Sequence, residues 1–272
     1  MRLLRATGVW QPGFAFLLAI GTPGVTGIQD QMAGRLTYDH GAVIRGDVAR
    51  KEIALVFTGH EFADGGSLIR DVLKERKVPA GFFFTGDFYR NPDHTSLIRA
   101  LREDGHYLGP HSDKHLLYCA WEDRGRLLVT REEFASDILR NSEAIGAFGV
   151  ARPDAFYFIP PYEWYNLTIV RWAGELGFTL FNFTPGTLSN ADYTTPDMAN
   201  YRSSDRIYQS IIDHDKSDPH GLNGFILLIH IGTHPDRTDK FYGRLDELLA
   251  ELKDRGYRFV RIDQLLRGGE SR

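Results

Sequence analysis

Cysteine is almost missing from this chain: Cys119 is the only one in 272 residues. That excludes an intramolecular disulfide and a cysteine-built zinc site, so any metal must be held by His, Asp or Glu. A basic surplus is missing too. Lys and Arg number 32 against 36 Asp and Glu, a formal net charge of −4, which offers no positive field to a nucleic-acid backbone and argues against such a partner. No apolar run is long enough for a membrane-spanning helix. No GxGxxG or P-loop pattern marks a nucleotide site.

What is present is ordinary globular material. Apolar residues make up 42% and charged residues 25%, which excludes dominant disorder and suits one large α/β domain or two small ones. Eighteen Phe, twelve Tyr and four Trp serve core packing first and, where exposed, the flat faces of sugar rings. The N-terminus runs from MRLLR through the apolar stretch Gly13–Ile20 into Gly/Thr/Pro-rich sequence. This pattern reads as a secretory signal or lead-in over residues 1–30 and predicts an exported protein, periplasmic or extracellular. Residues 31–50 carry no strong period and read as an N-terminal extension, leaving 51–268 as the domain proper.

Within that domain strand and helix patterns alternate about seven times. Continuous apolar runs such as EIALVFT (Glu52–Thr58), AGFFFT (Ala80–Thr85) and GFILLIHI (Gly224–Ile231) have the character of strands buried on both faces. Between them lie helical patterns over 67–77, opened by Ser67 as an N-cap, and over 94–103, 131–148, 167–176, 205–212 and 241–253. Thr130 and Glu133 stand at capping-box spacing before the third of these. Residues 184–203 form a long loop of the kind that is often functional. The βα repeat predicts a parallel sheet with right-handed crossovers, either a barrel or an open doubly wound sheet.

The polar clusters share a position. His60-Glu61, Asp87, the pair His111 and His115, Pro161-Tyr162 and His230 each fall at the C-terminal end of a predicted strand, where parallel α/β folds place their chemistry. Two histidines four apart can turn toward one ion if the backbone leaves the strand as a helical turn, and neutral imidazole suits Zn²⁺.

The order of these motifs resembles the NodB-type polysaccharide deacetylases, carbohydrate esterase family four, over about Lys51–Leu266. Gly105-His106, Gly109 and His111-Ser112-x-x-His115 are similar to the family's histidine motif. Leu227-Leu228-Ile229-His230 is similar to its last motif, and Ile159-Pro160-Pro161-Tyr162 to its Arg-x-Pro-Tyr motif, with Ile159 in place of the arginine. The resemblance implies a distorted (β/α)₇ barrel and a metal-dependent removal of acetyl groups from an N-acetylated carbohydrate. It further implies His111 and His115 as metal ligands, His230 as general acid and the Tyr162 backbone N–H as an oxyanion donor.

The first motif departs most. The family's Thr-Phe-Asp-Asp corresponds to Val56-Phe57-Thr58-Gly59, so the catalytic base and the acidic ligand are both absent. The expected replacement is His60 as third ligand and Glu61 as base, with Glu61 as ligand and Asp64 or Asp87 as base as the variant. Zinc is the expected metal. Phe62, Tyr162, Trp164, Tyr165 and Tyr193 are candidate sugar-stacking residues, and Asp64, Asp87, Trp164, Asn190 and Asp192 candidate substrate contacts. Two other readings follow from the lost acids: a non-catalytic carbohydrate-binding protein on a deacetylase scaffold, and a glycoside hydrolase using Glu61 and a second carboxylate.

Overall fold

The computed structural model describes residues 36–267. The expected export signal lies outside the described residues, and none of the described helices is long and apolar enough to cross a membrane. The described residues open with an antiparallel hairpin, β1 (Thr37–Asp39) and β2 (Ala42–Arg45). Ala42 and Val43 are buried, Val43 bridges to Phe181, and the Gly46 N–H donates to the Gly224 carbonyl at 2.7 Å. Residues 42–46, which the sequence places in an extension outside the domain, are therefore built into the folded body. Two apolar residues proved enough to draw them in.

The βα series follows. β3 (Glu52–Gly59) leads to α1 (Gly66–Arg76), and β4 (Gly81–Phe84) to α2 (Gly86–Arg90) and α3 (Thr95–Glu103). β5 (Tyr107–Pro110) precedes α4 (Arg131–Gly146), β6 (Tyr157–Phe158) precedes α5 (Leu167–Glu175), and β7 (Thr179–Leu180) precedes α6 (Ser204–Ser217). β8 (Phe225–His230), α7 (Leu245–Asp254), β9 (Arg258–Phe259) and α8 (Ile262–Leu266) complete it. The capping box of Thr130 and Glu133 is formed at α4. Ser67 is not a cap: α1 starts one residue earlier, behind Gly65, whose N–H donates to the Ile231 carbonyl. The short α2, capped by the Thr85 hydroxyl, stands where the sequence suggests only a loop.

β5, β4, β3 and β8 pair in that order, all parallel, with β9 beside the start of β3. β6 and β7 form a separate parallel pair. A few hydrogen bonds join the pieces, among them Ile159 N–H to the Pro110 carbonyl and Thr184 N–H to the Ile226 carbonyl. The sheet is thus carried from β5 through β6 and β7 back toward β8 as a distorted barrel.

Alternation along the strands builds two apolar layers. Ile53, Leu55 and Phe57 of β3 join Phe82, Phe84, Leu227 and Ile229 against the helices. Ala54 and Val56 join Phe83, Ile226, Leu228, Ile159 and Phe181 inside the barrel. Successive strand side chains point to opposite faces, so a strand packed on both faces must be apolar throughout, which is why β3 reads as an unbroken run. Followed to the strand ends, the same alternation puts Thr58 and His230 on the interior side and Gly59 on the helix side. A Cβ on Gly59 would stand 2.7 Å from Ile231 Cγ2 and 3.0 Å from Phe84 Cδ1.

Candidate active site

The site sits at the C-terminal ends of the strands and is assembled from loops that the barrel holds in register. His111 follows β5, and its backbone N–H donates to Asn141 Oδ1 at 2.7 Å, while Asn141 Nδ2 donates to the Phe84 carbonyl at 3.1 Å. The fully buried Asn141 of α4 thereby ties two strand ends together. His111 Nδ1 lies 2.9 Å from the Ile159 carbonyl. A carbonyl only accepts, so Nδ1 carries the proton and Nε2 keeps its lone pair. The loop then passes through positive φ at Ser112 and His115, 73° and 56°. The start of α2 holds it there, with the N–H groups of Gly86 and Asp87 donating to the Ser112 and Asp113 carbonyls.

These constraints bring three imidazoles together. The His111 and His115 ring centroids are 5.1 Å apart at an interplanar angle of 65°. His60, beyond the end of β3, stacks on His115 at 4.8 Å and 8°, and its Nδ1 shares a 3.1 Å hydrogen bond with the Thr85 hydroxyl. Burial, reinforced by the neighbouring histidines, lowers the His115 pKa to about 2. Burial likewise lowers His111 to about 3, against the opposing effect of its bond to Ile159. Both are neutral at every physiological pH, which is the protonation state a metal ligand requires.

The donor chemistry therefore fits a divalent ion at His111 and His115. The third position is a different matter. Among the described residues no group of three His, Cys, Asp or Glu stands ready to hold a metal, and a ring lying parallel to His115 must turn before His60 shares an ion with it. Gly59, aligned with the family's acidic ligand, faces apolar side chains.

On the opposite wall His230 is gripped by Asp192. The carboxylate accepts the His230 backbone N–H at 2.9 Å and takes the ring Nδ1 at 2.6 Å. Burial alone would lower the His230 pKa, but the Asp192 carboxylate outweighs it and leaves the value raised. Asp192, expected as a sugar contact, is 1% exposed. Both of its oxygens bond His230.

The other candidate residues are placed by their contacts and exposure. Glu61 is exposed and engages no partner among the described residues, so nothing holds it as a base. Asp64 is bound by Tyr242 Oη, Lys240 Nζ and the Thr233 N–H, between 2.6 and 2.9 Å. It anchors the loop after β8. Asp87 pairs with Lys114 and Arg90 on the surface of α2. Tyr165 is buried, with its hydroxyl on the Asp39 carbonyl, and Phe62 packs edge-on to His234. The buried Tyr165 has no free face for a sugar, while Phe62 is half-buried. Ile159 is a core residue whose carbonyl serves His111, and an arginine there would have to lie inside the barrel.

Two residues of the site escaped sequence reading. Glu163 follows Tyr162, both with positive φ, 53° and 59°. Burial raises its pKa to about 7, with His230 opposing and Asp192 adding to the shift. Glu163 therefore lies within electrostatic reach of the dyad. Trp121, 55% exposed, stands 5.7 Å from Tyr162 and 5.4 Å from Trp164. Tyr162 in turn packs on His115 at 4.4 Å, and Tyr193 lies 5.4 Å from His230. Exposed aromatics thus flank the histidines on two sides. The Tyr-Glu pair after a double proline was the available signal for Glu163; nothing local distinguished Trp121.

The polysaccharide deacetylase family profile matches residues 45–181. The chain belongs to the polysaccharide deacetylase family. Among its family relatives is a peptidoglycan N-acetylglucosamine deacetylase of Bacillus cereus, 28% identical over 73% of this chain and 80% of the relative. The peptidoglycan N-acetylmuramic acid deacetylase PdaA of Bacillus subtilis is 25% identical over 81% and 73% respectively. By fold, this polysaccharide deacetylase family chain matches a family 4 pseudoenzyme from Bacillus anthracis with a TM-score of 0.65 at 17% identity, over 84% of this chain and 70% of that one. The expected family and the expected α/β fold with a parallel central sheet are both met. The chain's family is one of hydrolases that deacetylate carbohydrates.

Proposed function

We propose that the chain hydrolyses the acetamide of an N-acetylated glycan of the peptidoglycan type, using a divalent metal, with zinc the expected ion. The observation that carries this reading is the Asp192–His230 dyad standing across the strand ends from the neutral pair His111 and His115. His111 and His115 would hold the ion, with His60 joining by a turn of its ring. A bound divalent ion supplies Lewis acidity to the acetamide carbonyl and to the attacking water.

The chain's own residues do the rest. Asp192 holds the proton on Nδ1 of His230 and favours the imidazolium, so Nε2 is kept charged to protonate the departing amine. Glu163 takes the role assigned from sequence to Glu61. Its carboxyl is poised near neutrality and can accept the proton of the attacking water. Tyr162, Trp121 and Tyr193 offer faces on which sugar rings stack. The Tyr162 backbone N–H is the oxyanion donor in this reading.

Acetate release from N-acetylglucosamine oligomers, measured after chelation and then with Zn²⁺ restored, tests it. Glu163→Gln is expected to lower kcat by roughly 10²-fold or more, the usual contribution of a general base, and Glu61→Gln to leave it nearly unchanged. No acetate under any divalent metal would overturn the hydrolase reading. A second reading, glycan binding without turnover, is favoured by one specific observation: the space that an acid at Gly59 would need is filled by Ile231 and Phe84. It predicts saturable oligosaccharide binding with no acetate. Export of the chain is part of the proposal, because a peptidoglycan substrate lies outside the cell membrane. Fractionation of producing cells checks it.

A further inference from the structure

A cavity of about 1250 Å³ lies at the opposite end of the barrel from the histidines. Its walls come from the N-terminal ends of the strands, including Glu52, Tyr107, Tyr157 and Arg258. Five arginines line it, Arg50, Arg102, Arg258, Arg261 and Arg267, against the three carboxylates of Glu52, Asp154 and Asp263. Five against three leaves a charge of +2 in a chain whose net charge is −4. The sign of this cavity runs against the whole molecule.

The carboxylates are unevenly shared. Arg50 and Arg258 both pair with the single buried carboxylate of Glu52, and Arg261 is held by Asp263 at 2.8 Å. Arg102 and Arg267 pair with no carboxylate among the described residues. Arg102 donates to the Gly149 carbonyl at 3.0 Å, and Arg267 lies over the Phe156 ring at 5.2 Å. Two guanidiniums thus face the cavity with donors in hand.

A separate observation points the same way. His106, 8% exposed, lines the cavity, and its Nδ1 accepts the Ala80 backbone N–H at 3.2 Å. With Nδ1 an acceptor and burial keeping the ring neutral, the proton sits on Nε2. That Nε2 is buried and has no hydrogen-bond partner. A buried N–H without an acceptor is costly, and what it lacks is an oxygen with a free lone pair.

We propose that this cavity binds a phosphate-bearing small molecule, with Arg102 and Arg267 as its charged donors and the His106 Nε2–H as a fixed neutral donor. Guanidinium matches the geometry of phosphate oxygens and forms the stronger, charge-assisted class of hydrogen bond. The volume is more than enough for a small phosphorylated molecule, since ordinary ligand pockets run to about 1,000 Å³. The site is independent of the deacetylase reading, because none of its residues contacts the histidine cluster.

The test is calorimetric titration of the full chain with sodium pyrophosphate at low ionic strength, after chelation so that no metal contributes. Saturable binding is expected. In an Arg102→Gln, Arg267→Gln protein affinity should fall by about tenfold or more, as expected for lost charge-assisted hydrogen bonds, and in His111→Ala it should not change. Both arginines are exposed, so the double variant should keep the wild-type circular dichroism and its acetate release. The His106 Nε2–H proton resonance should shift on binding. Absence of saturable binding, equal affinity in the arginine variant, loss of binding in His111→Ala, or an unmoved His106 resonance would each overturn the proposal.

Discussion

Thr58 and His230 face each other in register at the C-terminal ends of two adjacent parallel strands. Thr58 stands where the family resemblance places a carboxylate, and its buried hydroxyl has no hydrogen-bond partner. A buried hydroxyl left unpaired costs roughly 1–3 kcal/mol. Thr58→Val, which removes the hydroxyl at nearly equal volume, is therefore expected to raise stability by about 1 kcal/mol. Denaturant titration of the two proteins measures this. A fall in stability would show that the hydroxyl has a partner in solution.

The Asp192–His230 dyad makes a prediction about pH. The carboxylate holds the His230 pKa above its ordinary value, so Asp192→Asn should lower it by about one unit or more. A general acid works only while protonated, so the alkaline limb of the kcat profile should move to lower pH. The same shift enters stability. With the folded pKa above the unfolded one, the contribution of His230 is fully present below about pH 6.5 and is lost as pH rises through the folded value. Stability of the wild type should fall across that window, and Asp192→Asn should flatten the fall. An unmoved alkaline limb would remove His230 from the acid role.

Gly59 explains why the lost acid is not simply put back. Any side chain there must enter the layer of Ile231, Phe84 and Phe88, whose nearest atoms lie 2.7–3.1 Å from the Cβ position. Gly59→Ala is expected to cost about 1–3 kcal/mol by overpacking. Gly59→Asp should cost more, since it also buries a carboxylate among apolar groups. Combining Gly59→Ala with Ile231→Ala should recover part of the packing loss. If thermal melts show Gly59→Ala at wild-type stability, the strand end is looser than described.

The three imidazoles predict unequal ligand behaviour. His111→Ala removes a neutral donor fixed by Asn141 and Ile159, and should lower Zn²⁺ affinity by 10-fold or more. His115→Ala should do the same. His60 stacks in parallel on His115 and bonds to Thr85, so His60→Ala reports directly on whether its ring turns to join the ion. A loss as large as that of His111→Ala makes it the third ligand. No loss leaves a two-histidine site completed by solvent.

The fold was legible wherever burial made the sequence monotonous. β3, β4 and β8 are packed on both faces, so their apolar runs announce them, and the Thr130–Glu133 box announces α4. The short strands β6 and β7 were visible only as longer runs, because Ile159 and Phe181 continue the apolar pattern past the last regular hydrogen bond. In the candidate site, the positions of His111, His115 and His230 were legible because the strand ends locate them. The carboxylates were not. Whether Asp64, Asp87, Asp192 or Glu163 serves chemistry depends on which partner reaches it across the barrel, and that partner lies 38 residues from Asp192 in the case of His230. Spacing along the chain carries no record of such a contact.

The exposed aromatics give the last prediction. Trp121 is more than half exposed, and it meets Tyr162, which packs on His115. A large exposed ring beside a polar centre is the arrangement expected of a sugar-stacking platform, since its apolar face is covered only when substrate arrives. Such contact is made equally in the ground and transition states, so its loss should raise KM and leave kcat nearly unchanged. Trp121→Ala should therefore weaken use of N-acetylglucosamine oligomers while sparing turnover at saturation. Tyr193→Ala, on the His230 side, should act alike for oligomers long enough to span both walls and have no effect on shorter ones. A drop in kcat for Trp121→Ala at unchanged KM would mean that the ring holds Tyr162 and His115 in place and does not meet the sugar.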